Sequence, residues 1–355
     1  DSNTSNSTFE GTARELLRVK HNTRIHPMGD LVFNPTARPG DPDWRVLYIA
    51  CGDGGSGEQR NEIMRNNPQR LDTLVGKILR IIPDLNEHKS TSTVSEYSRY
   101  RIPNDNPFVS KPGARGEIWV YGLRNPARLA WDFDPANPRD NRLIANVIGL
   151  YTWEMVDIIH KGANYGYSQR EGIEKLDATN HTVDIPEDDT IPVMLNASET
   201  DGRVTPAYPV IAYRHNKEGG DAVGSGFIYR GKRFPELRGK YIFCDISTGK
   251  LWESDAKEML AVDGSHPPRL AGMYSLKLRW AKPGESPAET YSSMAPITEW
   301  AYHSRGGKAE HLPGMAKIAS NGRADVHVWS DSAGEIYIIS KSDGMIRIVT
   351  RATAN

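Results

Sequence analysis

Residues 45–53 read RVLYIACGD, and three later segments of the chain have a similar pattern. In each segment a charged residue leads into about four strand-forming residues, and a polar group follows where the strand should end. The similar segments are EIWVYGLRN (117–125), KYIFCDIS (240–247) and EIYIISKSDG (335–344). Because β units that recur along a chain are typical of propellers, the pattern predicts an all-β propeller with almost no helix.

The amino-acid composition makes some classes of binding partner poor candidates. The chain has 355 residues, 38% of them hydrophobic, with 44 basic and 45 acidic side chains and no Lys/Arg block. Nucleic acid and anionic membranes are therefore poor candidates for a partner, and a small neutral ligand fits better. No apolar run approaches the roughly 18 residues that a membrane-spanning helix needs, so we expect no membrane span.

Cys51 and Cys244 are the only cysteines, and each lies in an apolar, strand-like run. We expect two buried, reduced thiols at equivalent places in two separate blades, because two cysteines cannot form a disulfide framework or a four-cysteine zinc site. Four N-x-S/T triplets give a weak indication of export, since such triplets also occur by chance. They begin at Asn3, Asn6, Asn180 and Asn196.

The glycine-rich stretch IACGDGGSGEQ (49–59) contains a literal G-x-G-x-x-G, which raises the question of a dinucleotide site. Such a site needs an amphipathic helix after the glycines and an acidic residue about 20 residues further on, where Asp72 lies. The candidate helix 58–67 has only Ile63 and Met64 as apolar residues, and Asp53 would place a negative charge where phosphate should bind. The pattern therefore favours a tight loop at a strand end that presents Asp53 to a ligand.

The chain also resembles a known family through an ordered set of motifs. They are IHPMGDLVFNP, LYIACGDGG, LVGKILRI, YGLRNPARLAWDFDP, KGANYGY, FIYRGKRFPELRGKYIFCD and GEIYIISKSDGMIRIV. Together they resemble the glucose/sorbosone dehydrogenase family, which includes six-bladed β-propellers that use pyrroloquinoline quinone (PQQ) and calcium. The resemblance implies a six-bladed β-propeller over residues 25–351 after a polar N-terminal segment, residues 1–24. Relatives carry a longer stretch before the first motif, so we expect the first blade to be incomplete in this chain or the ring to close differently.

The resemblance also implies site residues. His26 matches the family's catalytic base, and Asp53 matches the acid that pairs with it. The cofactor-binding positions implied are Arg124, Asn125, Gly149, Leu150 and Arg323. The calcium positions implied are Gly149, Leu150, Glu154 and Tyr165. His26, Asp53, Arg124 and Asn125 should open onto one face of the central channel.

These side chains suit an oxidation. Hydride leaves the anomeric carbon of a sugar only if the attached hydroxyl loses its proton, and a neutral imidazole is a suitable base near pH 7. A carboxylate such as that of Asp53 fixes the tautomer of the His26 imidazole and stabilises the imidazolium. Arg124 would offset the negative charge that develops on a quinone. Read without the family, His26 is an ordinary loop histidine and Arg124 part of a turn that ends a strand.

Three departures weaken the match to the family's cofactor site. Met155 stands where the family has a calcium-binding glutamate, ten residues before Tyr165. A thioether is a poor calcium ligand, so a metal site here needs Glu154 or Asp157 in its place. Ser247 is nearest to the position of a quinone-binding lysine, and a pair of late arginines is reduced to Arg323. Fewer cations for the carboxylates of PQQ indicate weaker binding or a different orientation of the quinone.

We therefore expect a PQQ-dependent aldose dehydrogenase, periplasmic or extracellular, that forms a lactone and passes electrons to an external acceptor. One alternative is a non-catalytic extracellular propeller that binds carbohydrate or protein. A third is a hydrolase or lyase that acts on a polysaccharide. Met155 and Ser247 favour the binding module. The enzyme is favoured by His26, Asp53, Arg124 and Asn125 together.

Overall fold

The structure is a computed structural model and describes residues 13–59, 61–133, 141–286, 288–314, 322–350 and 352–353. The strands of the first half are β1 (Met28–Phe33), β2 (Leu47–Cys51), β3 (Lys77–Ile81), β4 (Ser92–Val94), β5 (Arg101–Pro103), β6 (Ile118–Tyr121), β7 (Asn125–Asp132), β8 (Arg142–Ile148), β9 (Trp153–Ile159), β10 (Arg170–Glu171), β11 (Glu174–Leu176) and β12 (Thr182–Val183). Those of the second half are β13 (Ile191–Met194), β14 (Thr200–Val204), β15 (Ile211–Arg214), β16 (Val223–Ile228), β17 (Lys240–Asp245), β18 (Leu251–Asp255), β19 (Tyr274–Ser275), β20 (Lys277–Trp280), β21 (Glu289–Tyr291), β22 (Val326–Ser330), β23 (Ile336–Ser340), β24 (Met345–Ile348) and β25 (Ala352–Thr353).

Four antiparallel sheets follow one another along the chain. From the inner to the outer strand, sheet 1 is β1-β2-β3-β6, sheet 2 is β7-β8-β9-β15, sheet 3 is β16-β17-β18-β19 and sheet 4 is β22-β23-β24. The inner strand β1 lies against β7, β7 against β16, and β16 against β22. This is the radial arrangement of propeller blades, so the all-β prediction is confirmed. The count of six blades and the closure of the ring stay predictions.

Three of the hydrophobic cores lie between neighbouring sheets. Tyr48 and Val120 of sheet 1 pack with Leu129 and Val147 of sheet 2. A second core joins sheets 2 and 3, and a third joins sheets 3 and 4. Strand β2 is buried along its whole length because both of its faces contact apolar neighbours.

Three of the four similar segments are second strands of their sheets, namely β2, β17 and β23. Segment 117–125 is different, since it forms the outermost strand β6 and leads into β7. The second strand of sheet 2 is β8, where the buried Asn146 interrupts the apolar run. Its amide donates to the carbonyl of Gly224, at 2.7 Å, and accepts from the Tyr241 hydroxyl. Because Asn146 is polar, the sequence of β8 lacks the unbroken apolar run of the other second strands, and the repeat is not recognisable there.

Helices are few in the described chain: α1 (Glu62–Arg65), α2 (Ala256–Val262), α3 (Ala295–Ser304) and a 3-10 turn, Pro235–Leu237. The candidate helix 58–67 was too long, because α1 has four residues and buries none of them. Helix α3 is an exception to the expected scarcity of helix, and it buries Ile297 and Ala301. No helix among the described residues is long and apolar enough to span a membrane.

Both cysteines are free and buried, which confirms the prediction of reduced thiols. Cys51 ends β2 and Cys244 is the penultimate residue of β17, so both lie on second strands. Burial raises the pKa of each thiol to about 12. The thiols therefore stay protonated and unreactive at neutral pH.

The described part of the predicted N-terminal segment packs on sheet 1. Leu17 and Val19 contact its core, and the Arg14 guanidinium donates to the carbonyl of Pro83, at 2.7 Å. Residues 1–12 and 351 lie outside the described residues. The boundary between residues 24 and 25 stays a prediction.

Candidate functional site

Strand ends of sheets 1 and 2 bring the predicted site residues together. His26 lies just before β1, and Asp53 lies just after β2; these strands are antiparallel, with Met28 opposite Cys51. Arg124 immediately precedes β7, and Gly149 immediately follows β8, again an antiparallel pair. All four residues therefore lie at the same end of their sheets.

His26 and Asp53 form a direct pair, with 2.7 Å between Nδ1 of the imidazole and Oδ1 of the carboxylate. The carboxylate also accepts from the N–H groups of Gly55, at 2.8 Å, and Gly57, at 3.0 Å. Burial alone would raise the pKa of Asp53, but the hydrogen bond from His26 and the positive charge of Arg124 outweigh it and hold that pKa below its usual range. Asp53 is therefore a fixed negative charge behind the imidazole at neutral pH.

The backbone of His26 adopts an unusual conformation, with φ at 50° in the left-handed region. Its carbonyl accepts from the N–H of Gly54, at 3.3 Å. A Cβ on Gly52 would lie 2.4 Å from that carbonyl oxygen, so only glycine permits this approach. The glycines of the loop therefore let the loop close against His26.

Arg124 is buried, with 7% of its surface exposed, and contacts sheet 1 and sheet 2 together. Its guanidinium donates to the carbonyl of Gly149 and forms an ion pair with Glu58, while its own carbonyl accepts from the N–H of Asp53, at 2.7 Å. Its Nε has no partner among the described residues. Sequence reasoning missed Glu58, although its place five residues after Asp53 in the same loop could have indicated it.

The turn after β8 is held by a second carboxylate that the sequence did not indicate, Glu171. Its Oε1 accepts from four consecutive backbone N–H groups, those of residues 150–153, at 2.6 to 3.2 Å. Glu171 is buried, and no motif marks it. It fixes Leu150 and the Gly149 carbonyl that Arg124 contacts, so it positions one side of the site.

We expect Glu171→Ala to lower the free energy of unfolding by about 3 to 5 kcal/mol, because four backbone N–H groups, two of them in buried hydrogen bonds, lose their acceptor. Glu171→Gln is the matched control: it keeps an acceptor oxygen at nearly the same size and should lose less. Chemical denaturation of the three proteins measures the effect. Equal stability of Glu171→Ala and the unsubstituted chain would show that this turn is stable without the hydrogen bonds to Glu171.

The predicted calcium donors already have protein partners. Glu154 accepts from His215, at 2.6 Å, and from the N–H groups of Gly149 and Val223. The Tyr165 hydroxyl donates to the carbonyl of Ile158, at 2.7 Å, and accepts from the N–H of His160.

Met155, at the position of the family's glutamate, and Asp157, its possible replacement, are equally unsuitable as calcium ligands. Met155 has a thioether, which accepts from the N–H of Gly172. Asp157 is buried, and burial, together with the charge of Asp263, raises its pKa to about 8, so it is mostly neutral at pH 7. This donor set does not fit calcium, which needs several free or ionised oxygens. The assignment of Gly149, Leu150, Glu154 and Tyr165 to a metal therefore stays a prediction without structural support.

The other predicted cofactor residues lie on sheet 2 and on sheet 4. Asn125 is the first residue of β7, next to Arg124. Arg323 lies near the start of β22 in sheet 4, and its Nε donates to Asp325, at 3.1 Å. Ser247 is buried beyond the end of β17, and its hydroxyl has no partner within the described chain. The structure therefore groups His26, Asp53 and Arg124 but not Arg323.

Within the described residues, ligand-capable atoms of His26, Asp53 and Glu58 lie within 4.8 Å of one another. Arg124 already neutralises Glu58, and Asp53 already accepts from His26. We therefore assign no metal to this cluster.

Comparison with known proteins gives these relatives. The chain is 36% identical over 159 residues to the aldose sugar dehydrogenase YliI of Escherichia coli, which covers 45% of this chain and 33% of that protein. It is 30% identical over 234 residues to the HIPL1 protein of Arabidopsis thaliana, covering 64% of this chain and 29% of that protein. A crystal structure of the soluble aldose sugar dehydrogenase from Escherichia coli in the apo-form aligns with a TM-score of 0.47 at 17% identity, over 92% of this chain and 63% of that chain.

The matched part of the chain thus spans about a third or less of the length of these curated relatives. The family profile described as glucose / sorbosone dehydrogenase matches residues 12–267, well over half of the chain and including His26, Asp53 and Arg124. The chain therefore belongs to the glucose/sorbosone dehydrogenase family.

Proposed function

We propose that this chain carries the reactive face of a dehydrogenase that oxidises the anomeric hydroxyl of an aldose to a lactone, with PQQ as the hydride acceptor. The observation that carries the proposal is the pair of His26 and Asp53 beside the buried Arg124. The place of action that suits such an enzyme is the periplasm or the extracellular space, where an external acceptor takes the electrons.

His26 acts as the base. Its Nδ1–H donates to Asp53, which leaves Nε2 as the nitrogen that can accept a proton. The side chain is 13% exposed, so it is open to a substrate on one side only. The hydroxyl proton goes to Nε2 as the anomeric C–H bond breaks, and the ionised Asp53 stabilises the resulting imidazolium.

Arg124 is the cation of the reacting centre. Its unpaired Nε fits the acceptor oxygen of a quinone. The residues that would hold PQQ are Arg124, Asn125, Gly149, Leu150 and Arg323. When bound, PQQ supplies the acceptor for the hydride of the anomeric carbon.

The test is reduction of added PQQ by an aldose. The purified protein is loaded with PQQ, and the quinone absorbance is followed after addition of D-glucose, D-galactose or D-mannose. The matched control is the methyl glycoside of each sugar, which has no anomeric hydroxyl and should give no change. Absence of quinone reduction by every aldose in the panel would refute the dehydrogenase.

Calcium should not be needed for folding. Because Glu154 and Tyr165 are engaged by protein groups, we expect a chelator to leave Tm unchanged, and added calcium to raise it by less than about 1 °C. Thermal unfolding with EDTA and with millimolar calcium measures this, and magnesium serves as the control ion. A rise in Tm of several degrees with calcium but not with magnesium would show that Glu154 and Tyr165 are available to bind calcium.

A second candidate is a propeller module that binds carbohydrate without oxidising it. The observation in its favour is that the guanidinium of Arg124 pairs internally with Glu58, which leaves less positive charge for the carboxylates of PQQ. Sugar binding without any binding of PQQ would favour this module over the enzyme.

A further inference from the structure

The Tyr167 hydroxyl is a buried hydrogen-bonding group without a partner among the described residues. The residue is 3% exposed, and its ring packs with Leu150 and Leu176. Its backbone is fixed at both ends, since its N–H donates to the carbonyl of Gly122 and its carbonyl accepts from Gln69, at 2.9 and 2.6 Å. The position of the hydroxyl is therefore set by the fold. A buried hydroxyl without a partner is uncommon and calls for a physical reason.

The hydroxyl lies against the loop that holds Asp53. A Cβ on Gly57 would be 1.5 Å from the Tyr167 oxygen, and the N–H of Gly57 donates to Asp53. The charges that act on Tyr167 are those of Asp53, Arg124, Glu58 and Glu171. Burial, with the charge of Asp53, raises the pKa of Tyr167 well above its usual value, so the group stays a donor at neutral pH.

Two further atoms of this cluster lack partners in the described chain. They are Nε of Arg124, a donor, and Oε2 of Glu58, an acceptor. Arg124 and Glu58 are ion-paired to each other through their remaining atoms, so the two unpaired atoms belong to one small region next to Tyr167. Because Nε of Arg124 is proposed to contact the quinone, the Tyr167 hydroxyl and Oε2 of Glu58 offer one donor and one acceptor to a second bound group.

A hydroxyl group matches this set, because it accepts from donors and donates its own proton to a carboxylate. A carbonyl oxygen only accepts, and it would leave Oε2 of Glu58 facing another oxygen. We infer that Tyr167 is a specificity-determining residue that donates to a ring hydroxyl of the sugar, one other than the anomeric hydroxyl whose proton goes to His26. This inference rests on the proposed function, since it gives the same site its second contact with an aldose.

The experiment combines Tyr167→Phe with sugars that lack single hydroxyls. Calorimetric titration first finds which of D-glucose, D-galactose and D-mannose the unsubstituted protein binds most tightly. The deoxy analogues of that sugar are then titrated into both proteins. We expect one analogue to bind the unsubstituted protein about threefold to tenfold more weakly than the parent sugar, and Tyr167→Phe to bind both alike.

Thermal unfolding supplies a second readout that does not depend on a ligand. Tyr167→Phe should leave Tm unchanged or raise it, because the hydroxyl it removes has no protein partner. Tyr229→Phe is the matched control: this buried hydroxyl donates to Glu335, at 2.9 Å, and accepts from the N–H of Phe234, at 3.1 Å. It should lower Tm and leave sugar binding unchanged.

The outcomes separate the two proposals. If the unsubstituted protein binds no aldose in the panel, the proposed function and this inference both fail. If it binds an aldose but no deoxy analogue distinguishes it from Tyr167→Phe, this inference alone is overturned. A loss of Tm in Tyr167→Phe as large as that in Tyr229→Phe also overturns it, because the hydroxyl would then have a partner in the free protein, such as an enclosed water.

Discussion

His26→Ala should lower kcat for aldose oxidation by a factor of about 10² to 10⁴ and leave the affinity for PQQ nearly unchanged. The imidazole is the proposed acceptor of the hydroxyl proton, and it is held by Asp53 at 2.7 Å. Asp53 keeps its bonds from Gly55 and Gly57 in this variant, so the loop should stay folded. Steady-state kinetics, with a separate titration of PQQ, measure the two quantities.

Asp53→Asn should have a smaller effect on kcat than His26→Ala. It keeps the imidazole but removes the charge behind it, so its kcat should fall between that of His26→Ala and that of the unsubstituted protein. A kcat for His26→Ala within threefold of the unsubstituted value would exclude His26 as the base.

Arg124→Ala should destabilise the fold by about 3 to 5 kcal/mol as well as abolish quinone reduction. It leaves the partly buried carboxylate of Glu58 unpaired and removes the donor to the carbonyl of Gly149. Chemical denaturation measures the loss of stability. Arg45→Ala is a suitable control, since the side chain of Arg45 is exposed and its ion pair with Glu87 should contribute at most about 1 kcal/mol.

The two effects of Arg124→Ala can be separated with Arg124→Lys. Lysine keeps the charge near Glu58 but cannot reach two acceptors with a planar fork, so it should recover part of the stability and little of the PQQ binding. Full stability of Arg124→Ala would mean that the contacts of this guanidinium do not hold sheets 1 and 2 together.

Sequence reasoning reached the residues whose chemistry is visible in short motifs. His26, Asp53 and Arg124 all follow or precede strands at recognisable glycine or proline positions, and strand order alone then brings them to one end of the sheets. The cysteine prediction succeeded for a similar reason, because an apolar run of strand-forming residues indicates burial directly.

The missed residues act through contacts between distant parts of the chain. Glu171 reaches a turn some 20 residues earlier, and Tyr167 reaches the loop around Gly57, so neither contact leaves a local pattern. Glu154 was given a metal role from its position beside Met155. Its actual partners, His215 and Val223, lie on other strands or loops that spacing cannot identify.

Three cores of this fold lie between neighbouring sheets, and the first of them joins sheets 1 and 2. His26 and Asp53 belong to sheet 1, whereas Arg124 leads into sheet 2 and contacts the turn that follows β8. The apolar layer that contains Tyr48 and Leu129 therefore lies between the sheet that carries the base and the sheet that carries the cation. A small slip of one blade past the next would separate base from cation while every strand remained paired. Activity should thus report on the alignment of blades well before secondary structure is lost.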